Sequence, residues 1–204
     1  MGDAGRYRTI VADPPWPLDW TPRSAKAKGG AWWSGPERGT PGREMAYSTM
    51  GLSDIYELPV ERIADDDAAL FMWATRKVFR EGDAARVARA WGFEPCGEII
   101  WGLRSPGLGT GAFRNDHEPV LVARRGKATF PSYHPVGVHF WKQPYEWTGR
   151  APAKIHSAKP EAFTELVEQI SPGPYVELFA RVNRLGWDTW GDQCLNTAGE
   201  LLNG

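Results

Sequence analysis

The stretch Tyr7 to Trp16, YRTIVADPPW, constrains the fold more than any other part of the chain. Ile10-Val11-Ala12 is a continuous apolar run, the pattern of a strand buried on both faces. Asp13-Pro14-Pro15-Trp16 ends it, because proline has no N–H to give to a ladder and fixes its own φ. A carboxylate is therefore expected at the carboxyl end of a buried strand, where open α/β sheets bind ligands. Beside it, donor-free carbonyls make an acceptor-only cluster that would fit the exocyclic amino group of a nucleobase. Trp16 would offer a face for that base to stack on. Two acceptors on the amino group would favour a pyramidal nitrogen with its lone pair turned outward. Such chemistry works by positioning and electrostatics, without a strong base. The same letters also fit a strand that ends in a proline-rich turn.

Further along, apolar runs alternate with helical periodicity. Ala68–Ala74 (AALFMWA), Cys96–Leu103 (CGEIIWGL), Pro119–Ala123 (PVLVA) and Tyr175–Phe179 (YVELF) are predicted strands, with Trp187–Trp190 as a sixth. Asp65-Asp66-Asp67 is predicted as a polar turn before the second strand. A short helix is expected from Ser53, capped by Ser53 or Asp54 and closed by Pro59. Arg76–Trp91 is predicted as one helix, with Ala84, Val87, Ala88 and Trp91 on its buried face and Gly92 as its stop. Pro160–Ile170 is a helix with Phe163, Leu166, Val167 and Ile170 inward and Pro160 in its first turn. This alternation predicts an α/β fold with a mostly parallel sheet. The 204 residues suit a single domain, 1–204, with loop insertions at about 17–46 and 126–154.

The net charge of −1 gives no global basic field, yet the basic residues are unevenly placed. Residues 20–50 carry five Lys/Arg against two acids, and 104–154 carry eight against three. Both stretches are rich in Gly, Pro and aromatics. Arg23, Lys26 and Lys28 in the first and Trp141 in the second are candidate contacts to a polyanion and its bases. Ordinary solvated loop charge, or a loop packing its own aromatics, would leave the same trace. The Gly-rich RSPGLGTGAFRNDHE is not a GxGxxG turn into a helix and is not read as a phosphate loop. His134 and His139 have no Cys or acid at ligand spacing, so no metal is expected. Cys96 and Cys194 have no CxxC spacing, and no signal peptide or long apolar span is present. A reducing, cytoplasmic setting is expected. Glu177 at a strand end could hold ribose hydroxyls, and Lys159 at a helix start could take a carboxylate. A surface lysine and a satisfied glutamate would read the same way.

Eight stretches in order resemble the DPPW-type adenine N(6)-methyltransferases. That family includes the catalytic subunit of the eukaryotic messenger-RNA adenosine methyltransferase and many bacterial and phage relatives. The matching stretches are DPPW at 13–16, YSTM at 47–50, AALFMWA at 68–74, EIIWGL at 98–103, RNDHEPVLVARRGK at 114–127, HSAKPEAFTELVE at 156–168, VELFAR at 176–181 and GWDTWGDQ at 186–193. The resemblance implies a Rossmann-like sheet with S-adenosylmethionine as methyl donor, and a permuted order in which the catalytic motif precedes the cofactor motif. It implies that Asp13, Pro14, Pro15 and Trp16 form the catalytic motif, with Asp13 and the Pro14 carbonyl on the amino group and Trp16 beside the base. Tyr47, Trp101, Arg114, Asn115, His117 and Glu118 would line the substrate side. Asp13, Ser157, Lys159, Glu177, Phe179, Arg181, Asn183, Asp192 and Gln193 would line the cofactor side, with Lys159 near the methionine carboxylate.

Two departures from the family pattern bear on the cofactor: Ala180 stands where Gly is common, and Asp192 where Asn is usual, losing an amide donor. A single chain of this size resembles the bacterial and phage members, which favours DNA over RNA. A catalytically silent nucleic-acid-binding subunit is the rival reading. It is disfavoured because the Asp and both prolines of the motif are present.

Overall fold

The computed structural model describes residues 6–17, 49–102, 117–130 and 159–198. The interiors of both expected insertions lie outside these residues. Six strands form one sheet: β1 (Tyr7–Ala12), β2 (Ala64–Trp73), β3 (Glu94–Gly102), β4 (His117–Arg124), β5 (Tyr175–Leu178) and β6 (Trp187–Trp190). Their order is β3-β4-β2-β1-β5-β6. β1 pairs in parallel with β2 and β5, and β5 with β6, whereas β4 runs antiparallel to both β2 and β3. Five strands thus share one direction, and the α/β class with a mostly parallel sheet is as expected.

Alternation along the strands sorts side chains onto two faces. Ile10, Ala12, Leu70, Met72, Val176 and Leu178 enter one core with Ile55 of α1 (Leu52–Tyr56), Val78 of α2 (Arg76–Arg80), and Ala84, Val87 and Ala88 of α3 (Asp83–Ala90). Val11, Phe71, Trp73, Val120 and Val122 enter the other core. There they meet Phe163, Val167 and Ile170 of α4 (Glu161–Ile170). Helices therefore cover both faces, which is why the central strands read as unbroken apolar runs.

Four local expectations differ from what forms. Asp65-Asp66-Asp67 is not a turn before β2 but lies within it. Tyr7 pairs with Ala64 and Thr9 with Ala69, so the triplet bulges out of register. Asp66 there meets Arg6 at 2.7 Å, and Asp67 accepts the Lys127 N–H at 2.5 Å. The single helix expected over Arg76–Trp91 is broken at Gly82, whose φ of +78° is left-handed. Thr75 caps its first half, accepting the Val78 N–H at 3.3 Å. Gly51, and neither Ser53 nor Asp54, is the N-cap of α1, and Pro160 is the N-cap of α4 and not part of its first turn. Among the described residues no helix is long and apolar enough to cross a membrane.

Candidate active site

β1 is where the sheet order reverses: β2 lies on one side of it and β5, reached much later in the chain, on the other. The carboxyl end of such a strand opens into a crevice. Asp13 is the first residue past that end, and its N–H is held by the Leu178 carbonyl of β5 at 3.3 Å. The two prolines that follow make a closed turn. The Pro14 carbonyl accepts the Trp16 N–H at 2.8 Å, and the Pro15 carbonyl accepts the Met50 N–H at 3.0 Å. These carbonyls are not free acceptors, as the sequence suggested; each keeps one lone pair.

Trp16 also differs from expectation. Its ring is only 4% exposed and belongs to the α1–α3 core, and its indole N–H donates to the Trp73 carbonyl at 2.9 Å. Burial on that face leaves it no open surface for a base. It anchors the turn to the end of β2 instead.

The opposite face carries the charge. Parity puts Asp13 with Val11, Glu177 with Tyr175 and Glu118 with Val120, all on the α4 side. Lys159, just before α4, reaches back to this edge. Its Nζ lies 3.4 Å from Asp13 Oδ1 and 3.1 Å from Glu118 Oε2, and 4.6 Å from the centre of the Trp73 ring. Asp13 and Lys159 are nearly closed off, with side chains 17% and 18% exposed, while Glu118 is at 41%. Trp73 in turn packs against Phe163 at 4.6 Å and Trp101 at 6.0 Å. Trp101, expected on the substrate side, is thus a wall behind the lysine.

Burial pushes the Asp13 carboxyl above its ordinary range; the Lys159 and Arg181 charges pull it back in part, and Glu118 adds to the rise. For Lys159 burial acts downward, but Asp13 and Glu118 outweigh it and raise its pKa, so the ammonium stays charged. Glu177 is raised by burial, with Arg184 opposing and Asp13 adding. Three acids and three bases therefore share one edge: Asp13, Glu118 and Glu177 with Lys159, Arg181 and Arg184. Arg184 and Trp73 were not singled out in the sequence; only their positions relative to β5 and β2 reveal them.

The β5–β6 end is shaped differently. β5 stops at Leu178, one residue short of expectation, because Phe179 takes a left-handed φ of +62°. For a bulky residue this is strained, by about 1–2 kcal/mol. It lets the Ala180 N–H reach the Trp190 carbonyl at 2.9 Å, with the Phe179 ring edge-on to Trp190 at 5.3 Å. Gly191 lies so close to this corner that a Cβ on it would stand 2.2 Å from the Ala180 oxygen. Ala180 is itself buried, so the close approach rests on Gly191 and the departure at 180 is accommodated.

Asn183, expected on the cofactor side, is engaged by the chain. Both amide hydrogens go to Thr189 Oγ1 and the Leu195 carbonyl, at 2.8 and 2.9 Å, and its oxygen accepts the Leu195 N–H at 2.9 Å. It is a structural tie here, with one lone pair left. Asp192 and Gln193 are exposed just past β6, and His117 opens β4 beside Glu118. Arg23, Lys26, Lys28, Tyr47, Arg114, Asn115, Trp141 and Ser157 lie outside the described residues.

The MT-A70 family model matches residues 7–193, from the start of β1 past the tip after β6. The chain is 30% identical over 193 residues to the type II methyltransferase M.MunI of a Mycoplasma species, covering 91% of this chain and 77% of that protein. It is 28% identical over 217 residues to the N6-methyladenosine RNA methyltransferase MTA1 of Pyricularia oryzae, covering 96% of this chain but 49% of that protein. It is 25% identical over 198 residues to the N(6)-adenine-specific methyltransferase METTL4 of Homo sapiens, covering 93% of this chain and 38% of that protein. With the Asp-Pro-Pro-Trp turn at the switch point and a family match running through every strand of the sheet, the chain belongs to the MT-A70 family.

Proposed function

We infer that this chain is an S-adenosylmethionine-dependent methyltransferase acting on the 6-amino group of adenine in nucleic acid, with DNA as the polymer and the cytoplasm as its place of action. The observation that carries the reading is Asp13: a largely buried carboxylate at the sheet's switch point, with a lysine ammonium 3.4 Å away. The charge pattern fits the proposed donor. An amino-acid tail carries one positive and one negative group, and Lys159 and Asp13 offer a partner for each. Glu177 stands where ribose hydroxyls are held in related sheets. Bound there, S-adenosylmethionine supplies an electrophilic methyl group.

The chain's own part is to present the amine. Asp13 accepts one N–H of the adenine amino group, and the remaining lone pair on the Pro14 carbonyl can accept the other. The amine becomes acidic as it is alkylated, and Asp13 Oδ is placed to take the proton it sheds. A carboxyl raised by burial is the better acceptor for that step. The aromatic wall of Trp73, Trp101 and Phe163 keeps bulk water from this edge.

The DNA assignment rests on cover: most of the type II enzyme is spanned, against about half of the RNA enzyme. Incubation of the protein and S-adenosylmethionine with DNA and RNA pools, then digestion and mass spectrometry, tests it. N6-methyladenine in the DNA is expected. Greater yield in RNA reassigns the polymer, and none in either refutes the activity.

A further inference from the structure

After β6 the chain doubles back, and a group of hydrogen bonds fixes the return. Besides the three bonds of the Asn183 amide, Thr189 Oγ1 donates to the Leu195 carbonyl at 2.7 Å. The Thr189 N–H donates to Thr197 Oγ1 at 2.9 Å, and the Thr189 carbonyl accepts the Thr197 and Ala198 N–H groups at 2.9 and 3.2 Å. The Gly191 N–H donates to Asn196 Oδ1 at 2.8 Å. Residues 195–198 are thereby laid along 189–191, with Thr189 and Ala198 fully buried. What remains outside is the tip, Asp192-Gln193, at the mouth of a loop closed at its base. β6 runs parallel to β5, and β5 to β1, so the tip stands at the same edge of the sheet as Asp13. Glu177 is near enough for its charge to act on the Cys194 thiol beside the tip.

We propose that Asn183 and Thr189 are positioning residues for cofactor binding: they clasp segment 195–198 and so preset the Asp192–Gln193 tip. The proposal rests on the reading of 177–193 as the S-adenosylmethionine stretch. It replaces the direct contact expected of Asn183 with an indirect one. A tip without the clasp has to be ordered when ligand binds, and affinity falls by the fraction of time it is wrongly placed. The methyl-accepting end, built on Asp13, does not depend on it.

The test is a double-mutant cycle with Asn183→Ala and Thr189→Val, beside Asn196→Ala, which leaves both clasp residues in place. Thr189→Val removes only the hydroxyl of a fully buried side chain, and Asn196 is exposed, so neither variant opens a large cavity in the core. Three quantities are read: S-adenosylmethionine affinity by calorimetry, kcat and KM, and amide exchange at Gly191 and Leu195. Each single variant is expected to weaken cofactor binding by about tenfold. The double variant should lose little more than the worse single, because the bonds act as a unit. KM for the cofactor rises while kcat at saturation holds, and both amides exchange faster.

Weakened binding in Asn183→Ala alone, with Thr189→Val and Asn196→Ala like wild type, overturns the proposal and makes Asn183 a direct contact. Wild-type exchange at both amides in the variants overturns it as well. Wild-type protein that binds no S-adenosylmethionine refutes the underlying cofactor reading. That failure shows before any variant is compared, and the amide pattern still reports on the clasp.

Discussion

The two ends of the site are held in shape by different forces. At the motif end, one ammonium sits between two carboxylates over an aromatic face, and the geometry is electrostatic. At the β5–β6 end, shape comes from neutral hydrogen bonds and from backbone packed on backbone at Gly191 and Ala180. Charge in a closed environment is strong and tunable by pH, whereas a clasp of neutral bonds ignores pH but yields to one misplaced atom. On the reading proposed above, Asp13 lies at the tunable end and the Asp192–Gln193 tip at the rigid one.

Removing the reacting carboxylate should give the largest effect. Asp13→Asn keeps the shape of the side chain but weakens its acceptor, and kcat is expected to fall by about 10²-fold or more with the melting temperature little changed. Retention of a tenth of the turnover would dissociate Asp13 from the chemistry. At the other end, Gly191→Ala forces a methyl against the Ala180 backbone and should destabilise the fold by about 1–3 kcal/mol. A lower urea midpoint at constant m-value measures this; an unchanged midpoint would mean the corner is looser than described.

The pH response sharpens the comparison. In the proposed mechanism Asp13 works as a carboxylate, and its pKa is raised, so activity should be lost on acidification at a pH above the ordinary value of about 4. Lys159 holds that pKa down. Lys159→Met should therefore move the acidic limb of kcat/KM further up, and should also weaken S-adenosylmethionine binding. Glu118→Gln removes a negative neighbour and should move the limb down, by less, because Glu118 is the weaker and more exposed influence. Limbs that shift together in the two variants would rule out this electrostatic account. The same substitutions should leave amide exchange at Leu195 untouched, since the clasp contains no charge.

Much of this was legible in the sequence. The apolar runs at Ile10, Leu70 and Val120 announced buried strands because both faces are covered, and Pro14-Pro15 fixed where β1 must stop. Lys159 and Glu177 were named from their places at a helix start and a strand end, and Glu118 from resemblance; that they converge on Asp13 required the sheet order, which strand periodicity does not encode. The local misses share a cause. Arg76–Trp91 was read as one helix and the Asp65–Asp67 triplet as a turn, because neither the left-handed φ at Gly82 nor the pairing of Ala64 with Tyr7 shows in local periodicity. Trp16 and Asn183 were assigned ligand-facing tasks, whereas Trp16 is buried in the core and the amide of the exposed Asn183 is taken up by Thr189 and Leu195.

The reversed direction of β4 bears on how such a chain can diversify. β3 ends at Gly102 and β4 begins at His117, and the antiparallel pairing brings both points to the edge where Asp13 lies. The segment after Pro17 likewise returns at Met50, bonded to the Pro15 carbonyl. Two connections therefore leave and rejoin the sheet at the same rim. Their lengths and compositions can change by insertion or recombination without shifting the register of a single strand. The edge that carries Asp13 can thus keep its geometry while the two connections vary.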